Sequence, residues 1–323
     1  MTPTVSKSRR SRLCLAPCLA LGLAAGVAGS PAGAADTLPP SGQPAAGPEA
    51  EASFFLLKGK PVQGGLMRGA APVGATVTLD GFAIPTTQDG NFVFGFDRDF
   101  AGSATLDVTL ADGRTQSRVL AVEPRDYDIQ RIDGLPPAMV TPPDAETLAR
   151  IQRESAIKAA ARPKDSPLTA FTESFVWPVL GPITGTYGSQ RILNGEPRRP
   201  HYGVDIAAPR GTPVKAPAGG VVTLAEPDMY YEGGLIFVDH GHGLIGVFMH
   251  LDEVTVAVGD RITQGDVIGK VGSAGRSTGA HLDWRMYWRA AHIDPTLLVP
   301  PMEDVLAAAD SAAPDAPDAP IAQ

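Results

Sequence analysis

Apolar and polar positions along residues 52–125 alternate in short runs with a period near two. Ala75-Thr-Val-Thr-Leu79 and Thr105-Leu-Asp-Val-Thr-Leu110 are the cleanest, and Ser117-Arg-Val-Leu-Ala-Val122 follows. A period of two places every second side chain on one face of a strand. Asp80-Gly81, Asp89-Gly90-Asn91 and Asp112-Gly113 separate the runs with turn chemistry. About seven short strands over this stretch predict a small β-sandwich-like module.

The pattern then breaks. Residues 126–170 read as an extended, proline-punctuated linker carrying one helix over 144–162, with Asp144 as N-cap and Pro163 beyond its end. This helix is expected to be a strut between two β units that fold independently. From 171 to 300 short apolar runs return, among them Gly220-Val-Val-Thr-Leu224 and Leu235-Ile-Phe-Val-Asp239, with turns at Gly259-Asp260 and Gly265-Asp266. Such closely spaced turns suit a compact antiparallel β domain. Residues 35–51 and 301–323 are Pro/Ala-rich and read as a disordered linker and a low-complexity tail, with a short helix just past Pro300. The expected fold class is mainly β throughout.

Composition agrees: 36 Gly and 31 Pro among 323 residues, with 6% aromatics, favour turn-rich β structure over helical bundles. Net charge is −8, and no basic run occurs beyond the first dozen residues, which excludes a nucleic-acid footprint. That first dozen holds Lys7, Arg9, Arg10 and Arg12, followed by an apolar run from Leu13 to Val27 and the small-residue pattern Ala32-Gly33-Ala34. This reads as a signal peptide over 1–34, giving an exported protein of the periplasm or cell envelope with no transmembrane anchor after processing. Its removal leaves 23 basic against 35 acidic residues, a net of −12, and takes away both cysteines, Cys14 and Cys18. Any metal site in the remaining chain must then use histidine and carboxylate.

All six histidines fall between His201 and His292. In His201-Tyr-Gly-Val-Asp205 and His281-Leu-Asp283 the spacings are even, so on strands each pair shares a face and converges on one cation. In Val247-Phe-Met-His250, alternation places His250 with Phe248, opposite Val247 and Met249. Together these elements offer five polar groups, enough for a hydrolytic zinc site with an open position and a proton-handling residue. His240 and His242, in the glycine-flanked Asp239-His-Gly-His-Gly243, are expected to cap a hairpin turn or stand exposed. His292, beside Asp294-Pro295, reads as a loop residue. The 52–125 module, without His or Cys, reads as a spacer or a surface for an envelope regulatory partner.

Several linked motifs then carry a family likeness. Pro182-Ile-Thr-Gly-Thr-Tyr-Gly188, His201-Tyr-Gly-Val-Asp-Ile-Ala-Ala-Pro209, Val238-Asp-His-Gly-His-Gly243, Met249-His-Leu251 and Gly275-Arg-Ser-Thr-Gly-Ala-His-Leu282 closely resemble M23 (LytM/lysostaphin-like) peptidases, over roughly 175–298. The resemblance implies a zinc endopeptidase cutting peptide bonds in peptidoglycan stems or crosslinks. It implies His201 and Asp205 as zinc ligands, with His250 and His281 handling the attacking water. Where the family's H-x-H motif ends in a ligating histidine, this sequence has Asp283, expected here as the third ligand; the competing expectation pairs Asp283 with Arg285, its same-face neighbour two residues on, and leaves zinc with two protein ligands and waters. The alternative is a degenerate, non-catalytic module that binds peptidoglycan or activates another wall hydrolase. A lipoyl-type carrier shares the flavour of Gly211-Thr-Pro-Val-Lys-Ala-Pro, but the obvious turns offer no exposed lysine.

Overall fold

A computed structural model describes residues 53–134, 140–141, 144–162 and 165–312. The expected signal peptide, the expected 35–51 linker and the last part of the tail lie outside the described residues. Seven strands precede the linker: β1 (Leu56–Lys58), β2 (Leu66–Ala70), β3 (Thr76–Leu79), β4 (Phe82–Ile84), β5 (Asn91–Gly95), β6 (Ser103–Thr109) and β7 (Thr115–Ala121). They form two antiparallel sheets, ordered β1–β2–β5 and β4–β3–β6–β7. Alternation does the work expected of it in β6, where Ala104, Leu106 and Val108 are buried and their neighbours are not.

The linker holds β8 (Ile129–Ile132) and α1 (Ala145–Ala160). Asp144 caps α1 as its sequence predicts, accepting a hydrogen bond from the Thr147 N–H at 2.7 Å. Beyond it run β9 (Ile183–Gly185), β10 (Gln190–Leu193), β11 (Glu196–Pro197), β12 (Gly203–Ala207), β13 (Pro213–Lys215), β14 (Gly220–Met229), β15 (Gly233–Gly241), β16 (Leu244–Val254), β17 (Arg261–Ile262), β18 (Val267–Val271), β19 (His281–Trp288), β20 (Ala291–Ile293) and α2 (Met302–Ala312). The large sheet runs β17–β14–β15–β16–β19–β12–β9, with β18 also beside β16 and β20 beside β19. Its central strands β15 and β16 are long and almost wholly buried. His242 and Gly243, both at positive φ, form the tight hairpin between them.

Strand β8 pairs in parallel with β10, so the linker is stitched into the C-terminal part. One hydrophobic cluster runs from Phe92, Phe94 and Leu106 of the sandwich to Ile206, Phe248 and Trp284 of the large sheet. Gly95 shows how close the two parts lie, since a Cβ there would stand 2.4 Å from Ile293 Cδ1. Arg125 reaches Asp294 at 2.8 Å and His292 Nδ1 lies 3.1 Å from Asp97, on the same seam. Among the described residues no helix is long and apolar enough to cross a membrane.

Candidate metal centre

Strands β12 and β19 run antiparallel with Asp205 directly opposite Asp283, so both carboxylates stand on one face. Two buried carboxylates in that relation repel unless cations lie between or beside them. His201 supplies one partner. Its Nε2 lies 3.0 Å from Asp205 Oδ1 and 3.3 Å from Asp283 Oδ2. It sits just ahead of β12 rather than on it, in an extended segment fixed by hydrogen bonds to Gly188 and Ser189. Arg285 grips Asp283 with two hydrogen bonds of 2.9 and 2.6 Å, and Arg191 reaches Asp205 Oδ2 at 3.0 Å. Glycines make the room: a Cβ at Gly185 would lie 2.2 Å from Asp205 Oδ2, and one at Gly203 2.7 Å from Asp283 Oδ1.

The His201 contacts are close but poorly aligned for hydrogen bonding. Both of its ring nitrogens, and Asp205 Oδ1, are buried without a hydrogen-bond partner. Leaving such groups unpaired costs about 1–3 kcal/mol each. The ligand atoms of His201, Asp205 and Asp283 all lie within 4.8 Å of one another. Around a tetrahedral ion with bonds of ~2.0–2.1 Å, ligand atoms stand about 3.3 Å apart. The donor set and its spacing therefore fit a divalent cation, and the unpaired atoms are the ones it would satisfy.

Electrostatics tells the same story. Burial opposes charge on Asp283, yet Arg285 and His201 hold its carboxyl well below the ordinary range. Burial likewise opposes a proton on His201, and the two aspartates outweigh it, raising its pKa.

His250 and His281 flank the cluster, their ring centroids 4.8 Å apart. His281, first residue of β19, shares the Asp283 face as its spacing predicts, and its Nε2 is 3.8 Å from Asp205 Oδ1. His250 arrives differently. Alternation assigns it to the Phe248 face, which belongs to the core opposite the site. Instead His250 adopts φ +64° at a register shift in β16, so that Phe248 and Leu251 share the core while Val247 and Met249 lie on the other side. That left-handed residue, costly for anything but glycine, turns the imidazole to meet His281. In both histidines Nδ1 meets a backbone carbonyl, of Ala274 and of Gly279, at 2.9 Å. Those bonds place the proton on Nδ1 and leave Nε2 with a free lone pair. Burial lowers the His250 pKa, keeping the ring neutral.

The other three histidines stay away from the cluster. His240 and His242 are buried rather than exposed, a correction to the sequence expectation. His240 points from β15 to the Gly219 carbonyl at 2.7 Å, and His242, in the hairpin turn as expected, lies 3.0 Å from the Pro85 carbonyl of the sandwich. His292 lies on β20 rather than in a loop and stacks on Tyr202 at 3.6 Å.

A cleft of about 750 Å³ extends beside the cluster. Lys158, Arg162, Arg191, Arg198, Arg199, Arg276 and Arg285 line it against one acidic residue, Glu232. In a chain of net charge −8 this is a strong local inversion. Arg285 stands where its place two residues after Asp283 puts it, on the same strand face, but the others, Arg191 above all, were not foreseen from the sequence. They come from α1, the β10–β11 hairpin and the loop after β18, and no spacing rule links such segments.

A buried His/Asp cluster with flanking histidines on an antiparallel β fold defines a metallopeptidase-type site. Residues 199–295 match Peptidase family M23. The chain is 31% identical to a solved structure from Pseudomonas aeruginosa described as a peptidase M23, with 74% of this chain and 95% of that one covered and a TM-score of 0.56. This chain belongs to the M23 peptidase family. It is also 39% identical over 115 residues to the DD-carboxypeptidase/endopeptidase Mpg of Neisseria meningitidis, covering 36% of this chain and 26% of the relative. Against the peptidoglycan DD-endopeptidase ShyC of Vibrio cholerae it is 35% identical over 95 residues, covering 29% and 22%. The chain spans about a third or less of the length of most of the curated relatives it matches.

Proposed function

We propose that this chain is an exported zinc-dependent endopeptidase that hydrolyses peptide bonds in peptidoglycan stem peptides or crosslinks. The observation that carries the reading is the cluster of His201, Asp205 and Asp283, whose ligand atoms gather within 4.8 Å of one another, with the His201 ring nitrogens and Asp205 Oδ1 buried and unpaired. Zinc held there would act as a Lewis acid and lower the pKa of water to about 7. Within the chain, His250 and His281 take a proton at Nε2, each held in the right tautomer by its Nδ1 bond. Protonated, either ring also donates a hydrogen bond to an oxyanion developing on the scissile carbonyl. The cationic cleft suits a peptide bearing free carboxylates, as wall stem peptides do.

A second reading has one observation in its favour. Arg285 and Arg191 already neutralise the two carboxylates, which is how a degenerate, peptidoglycan-binding module would keep its fold without metal. Mass spectrometry of isolated peptidoglycan after incubation separates the two. The enzyme reading predicts new peptide ends with wild type and none above background with His281→Ala. Binding of wall material without new ends from wild type would favour the module.

A further inference from the structure

A second cavity, of about 400 Å³, lies along the seam between the β1–β2–β5 sheet and residues 171–174 and 297–298. It shares no residue with the metal-type cluster. Sequence alone shows no polar constellation in this part of the chain; strand pairing creates one. The β1–β2 register sets Lys58 directly opposite Arg68, so two cations share one face at the shortest cross-strand distance. Like charges so placed are destabilising.

Arg68 is half-buried, and its Nε and Nη2 are enclosed without a hydrogen-bond partner. Its guanidinium stands 5.1 Å over the Phe175 ring, which favours a cation but accepts none of its hydrogen bonds. Among the described residues no carboxylate lines the cavity. The polar side chains that do, beside Lys58 and Arg68, are Asn91, Thr172 and Ser174. A buried guanidinium with unmet donors, a second cation facing it and neutral polar groups around it lack one component, an anion.

We propose that this cavity binds an oxyanion, a phosphate or carboxylate group, with Arg68 as its anchor and Lys58 as the second charge. The planar guanidinium fork matches two oxygens of either group, whereas Lys58 contributes a point charge. The volume exceeds that of a lone ion, since one water occupies about 30 Å³ of liquid. The cavity therefore takes a free ion with its waters, or the same group carried on a larger molecule. In the second case Leu56 and Leu297, both exposed at the cavity, receive the apolar remainder.

Thermal unfolding of the EDTA-treated full-length protein tests this, because chelation removes a bound metal as a competing anion site. At matched ionic strength, inorganic phosphate should raise Tm over chloride by about 2–4 °C in a saturable way. Arg68→Met should lose that response and Lys58→Gln should weaken it. In chloride, Arg68→Met should be no less stable than wild type, since it removes an uncompensated buried charge. Phenyl phosphate identifies the source. Saturation at lower concentration than inorganic phosphate assigns the site to a group on a larger molecule, and equal concentrations assign it to the free ion. An absent phosphate response in wild type, or an equal one in Arg68→Met, overturns the proposal. If Arg68→Met does not fold, an unchanged response in Lys58→Gln overturns it instead.

Discussion

At the scale of single residues, Asp283 and His250 separate what spacing can reveal from what it cannot. Even spacing paired His201 with Asp205 and His281 with Asp283, and only the β12–β19 register shows the two aspartates opposite each other on one face. His250 was placed beside the right partners for the wrong local reason, because a positive φ is invisible in an apolar/polar pattern. Asp283 also carries more than a ligand role, since Arg285 depends on it for charge balance. Asp283→Ala should therefore lose zinc and some stability together, whereas Asp283→His should keep roughly one zinc per chain by direct metal analysis. Undiminished zinc in Asp283→Ala would remove it from the ligand set. His250→Ala and His281→Ala should retain the metal and lose ~10²–10⁴-fold in hydrolysis rate, measured on peptidoglycan fragments. Loss of zinc from His281→Ala would make His281 a ligand instead.

At the scale of elements, strands and turns were the most legible part of the molecule. The sandwich runs and the α1 cap follow from alternation and from Asp144, all local signals. The parallel β8–β10 pairing was not legible, because its partners are about sixty residues apart and carry no marked alternation. The site also depends on β9, whose Gly185 backbone passes close to Asp205. Gly185→Ala should displace that carboxylate and weaken zinc binding while far-UV circular dichroism stays unchanged; full zinc retention would show that β9 yields instead. Buried His240 on β15 gives the sheet a pH dependence. Burial pushes its pKa down to about 4 from 6.5. Below pH 6.5 the unfolded chain gains a proton that the folded chain refuses until about pH 4. Stability is therefore complete above pH 6.5 and falls through that window, by about 3 kcal/mol in all. His240→Gln should flatten that stretch of the stability–pH curve measured by urea unfolding. An identical acid slope in the variant would assign the loss to other groups.

At the scale of the whole molecule, composition and charge pointed to β architecture and away from nucleic acid, but gave no hint of where the positive charge would gather. The cationic cleft appears only when α1, the β10–β11 hairpin and the loop after β18 fold to one place. The shared core also changes the expectation for stability. Apolar contacts run without a break from Phe92 to Trp284, and the seam carries the Asp97–His292 and Arg125–Asp294 pairs. Calorimetry of the full-length protein should show one cooperative transition, and removal of residues 52–125 should expose Ile293 and its neighbours and cost solubility. Two separated transitions would restore the independent units suggested by the helical linker. The central claim is that His201, Asp205 and Asp283 hold a catalytic zinc. Its most direct test is a zinc titration of EDTA-stripped protein, read as the release of new peptide ends from isolated peptidoglycan. Release should rise with added zinc and level off near one zinc per chain; zinc bound at that stoichiometry with no release at any point would contradict it.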